Sequence, residues 1–269
     1  MKKMRFLSYY FFLFGLCLSF LFLSLILTLN LTLLNEEFIK TKLKEDDYIQ
    51  KTYDSIYVEM NHYLIQSGLP EEVLKDIVTE EKVEKDILSN LASLYESKNF
   101  EIVTDDITLH LENNINQYLE KQNIVVKDEE SLNLFVQQMS HIYKEELTLY
   151  GTLPKIKKAV PTIKKGFTII FYFSLGLFIT SLLVIKFFLK KKIGSILFFV
   201  NGLLLCLTKT YIYQHVDIAN LLIVDVNFSS LLKNVLTTYF EAIGLEGFCF
   251  LGLGFLYLLI RNMGYILKR

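Results

Sequence analysis

The sequence predicts an all-α membrane protein with four helical spans and an extracytoplasmic helical bundle inserted between spans 1 and 2. Hydrophobic residues make up 52% of the 269-residue chain and aromatic residues 14%, an apolar share above that of ordinary soluble domains. Only 3 prolines and 12 glycines interrupt it, which favours long helices over a sheet with many turns. Four apolar runs each reach the roughly 20 residues needed to cross the hydrocarbon of a bilayer.

The first apolar run follows the basic sequence MKKMR and extends from Phe6 to Leu34. It is longer than the roughly 7–15 apolar residues of a signal peptide, and no small-x-small cleavage site follows it. We therefore predict that residues 1–5 form a cytoplasmic N-terminus. Residues 6–34 are predicted to form transmembrane helix 1, which stays in place as an uncleaved anchor.

Residues 35–152 are predicted to form the extracytoplasmic helical domain, because apolar residues recur there at intervals of three and four. One such stripe contains Tyr53, Ile56, Met60, Tyr63 and Leu64. The 3 cysteines of the chain all lie in apolar runs outside this domain, so its core must hold it together without disulfides. Helix boundaries are expected at Gly68 as a C-terminal cap, Pro70 with Glu71 and Glu72 in a first turn, Thr104 as an N-cap, and Asp128 near the start of the last helix.

Residues 153–166, LPKIKKAVPTIKKG, are predicted to be a basic amphipathic segment beside the membrane. Apolar residues at three and four alternate with lysines, a pattern typical of a short helix in the membrane interface. We hypothesise that its lysines contact anionic lipid headgroups or wall polymers. The alternative is that they balance the acidic charge of the preceding domain. The five lysines are Lys155, Lys157, Lys158, Lys164 and Lys165.

The remaining chain is predicted to contain three more spans. Between the last two, a segment too polar for a span and too apolar for a solvated loop is expected to form a helix, either on the outer membrane surface or against the bundle. The predicted boundaries are 167–189 for transmembrane helix 2, 190–192 for a cytoplasmic loop, 193–213 for transmembrane helix 3, 214–239 for an extracytoplasmic loop with this interfacial helix, 240–260 for transmembrane helix 4, and 261–269 for a cytoplasmic C-terminus.

The orientation follows from the basic residues of the short segments, which favour the cytoplasmic side. With both termini inside, Lys233 is the one lysine or arginine in the short outer loop. The long domain between spans 1 and 2 is beyond the length to which this rule applies. The five lysines of residues 153–166 are therefore expected outside. The basic residues assigned to the cytoplasm are Lys2, Lys3, Arg5, Lys186, Lys190, Lys191, Lys192, Arg261, Lys268 and Arg269.

Two ionisable residues interrupt the apolar pattern of the last two spans, Lys209 and Glu246. Their predicted depths below the outer boundary match, so we hypothesise an intramembrane ion pair between them. The alternative is that each side chain snorkels to the headgroups on its own.

No catalytic template is found: G-x-S-x-G, H-E-x-x-H, a Walker A loop and a metal-spaced cysteine pair are all absent from the sequence. His141 and Glu145 have the helical spacing of two metal ligands, but no third ligand accompanies them. We therefore predict no enzyme activity, catalytic residue, cofactor, metal or nucleic-acid partner, and the sequence identifies no small-molecule substrate.

The sequence favours a non-enzymatic membrane protein, of bacterial type, that presents its helical domain as a scaffold, binding module or accessory subunit. Membrane lipids, a protein in the membrane and a cell-wall polymer are the expected partners. The order of spans resembles the topology of MacB-type ABC permeases, in which an extracytoplasmic domain also separates the first two of four spans. That resemblance implies the alternative function, a permease-like subunit working with a partner ATPase. A membrane-embedded enzyme is the third hypothesis.

Overall fold

The computed structural model describes residues 2–96, 102–124, 128–149, 151–188, 193–218, 220 and 225–266. The structure is 87% helix, and these residues contain no strand, so the predicted all-α class is confirmed. The predicted loop at 190–192 lies outside them. The α-helices are α1 Lys2–Leu31, α2 Glu36–Glu45, α3 Tyr48–Gln66, α4 Glu80–Glu96, α5 Asp105–Lys121, α6 Glu129–Leu147, α7 Thr152–Leu183, α8 Gly194–His215 and α9 Val226–Ile266.

Four helical stretches are long and apolar enough to cross a membrane, as predicted. The second of them contains both α6 and α7, and the other three correspond to α1, α8 and α9. A π-helical turn, Val184–Phe188, ends the second stretch. The four stretches are Phe6–Leu31, Glu129–Phe187, Gly194–His215 and Val226–Arg261.

Two helices are longer than the sequence predicted. The basic segment at 153–166 is the beginning of α7 and continues into the apolar residues without a break, with Pro161 inside the helix. The expected interfacial helix between spans 3 and 4 is likewise the beginning of α9, which has 41 residues. No proline and no glycine occurs between Val226 and Ile243, so nothing in that stretch favours an end to the helix.

The chain divides into two compact units. The span unit comprises Met1–Phe38, Thr162–Leu221 and Lys233–Arg269. The helical unit comprises Ile39–Pro161 and also Leu222–Leu232, a segment that the sequence had assigned to an outer loop.

The core of the helical unit forms from the predicted stripes of α3 to α6. Ile56, Met60 and Leu64 of α3 are fully buried, whereas Tyr63 is 39% exposed and lies outside this core. The predicted cap at Gly68 is confirmed: its φ is 78°, and the amides of Gly68 and Leu69 donate to the carbonyls of Ile65 and Leu64. Fully buried residues from the other helices are Val83, Leu111, Ile115, Val136, Met139 and Tyr143.

The helix expected to start at Pro70 is a single 3₁₀ turn, Glu71–Leu74, and α4 begins only at Glu80. The chain turns away at Asp76, whose φ is 62°. This turn buries Leu74 and Ile77. The amide of Asn114 on α5 holds it by donating to the carbonyls at Val73 (3.0 Å) and Lys75 (3.1 Å).

A charged cluster joins three helices of the helical unit. Lys82 Nζ of α4 lies 2.6 Å from Asp106 Oδ2 of α5 and 3.7 Å from Asp86 Oδ2, and Tyr143 Oη of α6 donates to Asp86 at 2.7 Å. Burial alone would raise the pKa of Asp106, but the hydrogen bond and charge of Lys82, together with hydrogen bonds from backbone amides, outweigh it, so this pKa is lowered. Burial, followed by the bond to Asp86, raises the pKa of Tyr143.

In the span unit, one phenylalanine from each long helix meets at a common level. The ring of Phe20 on α1 lies 5.0 Å from Phe250 on α9, 5.8 Å from Phe178 on α7 and 6.1 Å from Phe198 on α8, measured between centroids. Such aromatic contacts stabilise beyond their buried area. They tie the four helices together around Phe20.

Candidate functional site

The candidate site lies in the span unit around Glu246, and its geometry begins with the contact between α8 and α9. Gly247 packs so closely on α8 that a Cβ there would lie 2.8 Å from Cys206 Sγ and 3.0 Å from Gly202 O. A Cβ on Gly254 would lie 2.9 Å from the Phe199 ring. Residue numbers rise on one helix as they fall on the other, so the two helices are antiparallel. Small residues such as Gly202 and Cys206 permit this close approach.

Lys209 belongs to this contact. Its aliphatic chain lies over Gly244, where a Cβ would overlap Lys209 Cδ, and its ammonium lies 5.7 Å from the centroid of the Tyr213 ring. Glycine at this point of α9 leaves room for the lysine stem in its present position. The ammonium is thereby directed to an aromatic face, a favourable position for a cation.

Glu246 lies on another side of α9. Two residues along a helix differ by about 200° in direction, so Glu246 points away from the face on which Gly244 meets Lys209. Among the described residues, no salt bridge within 4.0 Å joins Lys209 to Glu246. Their pairing therefore stays a prediction, and the structure gives each side chain other neighbours.

The neighbours of Glu246 are two hydroxyls of α1. Ser24 Oγ donates to Glu246 Oε1, and Thr28 Oγ1 donates to Glu246 Oε2 at 2.8 Å. Both hydroxyl residues are buried, with exposed fractions of 4% and 8%. They are one helical turn apart, so a single face of α1 reaches both carboxylate oxygens. Ser24, Thr28 and Thr32 recur every four residues in the sequence, and this spacing is the signal that places their hydroxyls on one face of α1.

The aromatic residues described above close one side of this site. Phe250 follows Glu246 by one turn on α9, and Phe20 precedes Ser24 by one turn on α1. Their rings stack at 5.0 Å and 29° between planes. On the opposite side, Thr32 continues the hydroxyl stripe and donates to the carbonyl of Thr28 at 2.7 Å. The carboxylate is thus between an aromatic layer and a polar end of α1.

Asn201 of α8 is a second polar residue in the span unit, and the sequence analysis missed it. It is fully buried, and its Nδ2 donates to the carbonyl of Leu197 at 2.9 Å. Its Oδ1 has no hydrogen-bond partner among the described residues. An amide within an apolar run was the available signal, since such groups are costly in hydrocarbon without partners.

The five lysines proposed to contact anionic surfaces fall on α7 and differ in their surroundings. Lys155, Lys158 and Lys165 are exposed, while Lys157 and Lys164 are half-buried. Lys157 Nζ donates to Ser93 Oγ of α4 at 3.1 Å, within the helical unit. At least one of the five therefore stabilises the fold. The exposed three remain candidates for a surface contact.

The helical unit presents an open, polar cleft of about 680 Å³. One face of α3 forms its wall, since the α3 residues that line it recur at three and four. The beginning of α9 also contributes: Asn227 Nδ2 donates to the carbonyl of Lys51 at 3.4 Å, and Ser230 Oγ to Asp46 Oδ1 at 3.2 Å. The cleft is lined by Lys51, Asp54, Ser55, Val58, Glu59, His62, Glu146 and Asn227.

His141 and Glu145 are close enough to interact, with 3.9 Å between Nε2 and Oε1. In the part of the chain that the structure describes, no group of three or more histidine, cysteine or acidic residues is arranged to hold a metal ion. Comparisons with protein-family models, with curated proteins and with solved structures find no match to this chain. The arguments for function therefore rest on the geometry above.

Proposed function

We propose that this chain is a non-enzymatic membrane protein that presents its helical unit outside the cytoplasm as a binding module or accessory subunit. The observation that carries the proposal is the open polar cleft along α3. It lies on a unit with a core of its own.

The charges of the cleft suit a basic or polar segment of a protein partner. The exposed Asp54 and Glu59 outnumber Lys51 in its lining, whereas Glu146 is only 7% exposed. Val58 adds an apolar contact that is 67% exposed. Polar rims around exposed apolar residues are typical of protein interaction sites.

The test is photo-crosslinking of the full chain in the cells that produce it. A photoreactive amino acid replaces Val58 in the cleft or, as the matched control, Leu134 on α6, which is 60% exposed and not part of the cleft lining. We expect a discrete crosslinked species from position 58 that disappears when Asp54 and Glu59 are both changed to Lys. Equal crosslinking from the two positions, or no effect of the charge reversal, would contradict the proposal.

A permease-like transport subunit is the second candidate, favoured by Glu246 within a candidate span. Ionisable residues at such positions mark substrate or ion paths in many membrane proteins. This function requires a partner ATPase, so gentle detergent purification of the chain should recover a nucleotide hydrolase in stoichiometric amount. Recovery of such a subunit would favour transport over the binding module.

A further inference from the structure

The two partners of Glu246 can serve either protonation state of its carboxyl group. A hydroxyl is both a donor and an acceptor, whereas a lysine ammonium only donates. When Glu246 is ionised, Ser24 and Thr28 donate to its two oxygens in the observed arrangement. When Glu246 carries a proton, its own O–H can donate to one of these hydroxyl oxygens without a change of side-chain position.

The charged and titratable groups near Glu246 allow its carboxyl group to be either ionised or protonated. Residues 18–34 of the first span contain no titratable side chain. From α8, Lys209 and Tyr213 lie on the Gly244 side, and Cys206 lies against Gly247. On α9 itself, Tyr239 lies two turns before Glu246, while Glu241 and Cys249 are exposed. Residues 162–183 of α7 contain three titratable side chains: Lys164 and Lys165 at the start of that range, and Tyr172, which is exposed.

An unpaired charge in hydrocarbon is costly, and a carboxyl group can avoid that cost by binding a proton. The described residues around Glu246 supply hydroxyls rather than a salt-bridging cation. We infer that Glu246 is a reversible proton-binding site within the spans, with Ser24 and Thr28 as its positioning residues. This inference goes beyond the proposed binding function, which concerns the helical unit.

A protonated carboxyl in an apolar environment has a characteristic reactivity toward lipid-soluble carbodiimides. The carboxyl proton moves to one carbodiimide nitrogen, and the carboxyl oxygen adds to the central carbon. The acyl group then migrates from oxygen to nitrogen and leaves a stable N-acylurea, with no atom lost from either reactant. The ionised carboxylate does not supply this proton, so the reaction reports the protonated form.

The experiment treats the full chain, in membranes or mild detergent, with N,N′-dicyclohexylcarbodiimide over a range of pH. Peptide mass spectrometry then locates the adduct. We expect one adduct at Glu246, with a yield that falls as the pH is raised, because only the protonated form reacts. A water-soluble carbodiimide, as the matched reagent, should modify exposed carboxyls such as Glu241 in preference to Glu246.

Variants separate proton binding from a merely structural contact. Glu246→Gln should abolish the adduct. Thr28→Ser keeps a hydroxyl and should keep the wild-type adduct yield at each pH, whereas Ser24→Ala with Thr28→Val removes both donors to the ionised form and should raise the adduct yield at high pH. Folding of each variant is checked by its helical circular dichroism. In folded wild-type protein, no adduct at Glu246, or an adduct yield that does not change with pH, would overturn the inference.

Discussion

Thr28 on α1 donates a hydrogen bond of 2.8 Å from Oγ1 to Oε2 of Glu246 on α9, and thereby joins the first long helix of the chain to the last. Ser24, one turn earlier on α1, donates from Oγ to the other carboxylate oxygen, Oε1. The bond joins residues 218 positions apart in sequence. It fixes the rotation of α9 about its axis relative to α1, which an apolar contact alone would leave less defined.

Removal of these hydroxyls should loosen the span unit. We expect Ser24→Ala and Thr28→Val each to lower the free energy of unfolding by about 1 kcal/mol, since each leaves an oxygen of Glu246 without its donor. The measurement is thermal unfolding in detergent, followed by circular dichroism. Thr180→Val is the control, because Thr180 is exposed and donates only to Gly176 O of its own helix; an equal loss from this variant would contradict the assignment.

The contact between α8 and α9 should be sensitive to a single added methyl group. Gly247→Ala would place a Cβ 2.8 Å from Cys206 Sγ, and we expect a loss of about 1–3 kcal/mol from overpacking. Gly252→Ala, on the same helix with nothing within 4 Å of its Cβ position, should be neutral or stabilising by up to about 1 kcal/mol. The measurement is the free energy of unfolding of the two variants in the same detergent. Similar values for both would argue against the close packing of α8 and α9.

Much of this fold could be predicted from sequence, because composition and periodicity report local structure. The four apolar stretches, the cap at Gly68 and the start of α6 at Asp128, whose side chain accepts from the amides of Glu130 and Ser131, agree with expectation. Helix continuity was harder to predict. The polar-to-apolar change within α7 and within α9 resembles a boundary between two elements, although the backbone continues through it.

The surroundings of Glu246 could not be predicted from depth alone. Lys209 and Glu246 were matched by their distance from the end of each span, but contact also depends on the direction each residue faces. That direction follows from Gly244 and Gly247, which turn one face of α9 toward α8. These glycines are visible in the sequence, but only the three-dimensional packing shows that α1 contacts the face of α9 that carries Glu246.

The cluster of Lys82, Asp106 and Tyr143 predicts a pH dependence for the helical unit. The pKa of Asp106 is lowered in the folded state, so its contribution to stability is present above the ordinary aspartate pKa of about 3.9 and is lost as the pH falls through the lower folded value. We expect Lys82→Met to reduce the melting temperature at pH 7 and to have a much smaller effect in acid in which Asp106 is protonated. Lys85→Met, at an exposed position of the same helix, should have little effect at either pH; a Lys82→Met effect independent of pH would contradict this prediction.

The exposed lysines of α7 should contribute to binding of anionic membranes, and Lys157 should contribute to stability instead. Replacement of Lys155, Lys158 and Lys165 by Gln should weaken binding to vesicles that contain phosphatidylglycerol, since each basic residue near such a surface contributes about 1 kcal/mol. The assay measures how much of the detergent-solubilised full chain associates with anionic or with neutral vesicles. Lys157→Gln should lower the melting temperature, because the bond to Ser93 is lost. Equal association with the two vesicle types would refute the electrostatic contact.

The location of the helical unit outside the cytoplasm is the central claim, and cysteine accessibility tests it most directly. In a variant with Cys17, Cys206 and Cys249 replaced by Ser, one new cysteine is introduced by Lys75→Cys, at an exposed position of the helical unit, or by Lys191→Cys, in the loop predicted between spans 2 and 3. Intact cells without their wall are treated with a membrane-impermeant maleimide. The account predicts that the Lys75→Cys variant is labelled in intact cells and the Lys191→Cys variant only after the cells are opened. The reverse pattern would place the helical unit in the cytoplasm and contradict the account.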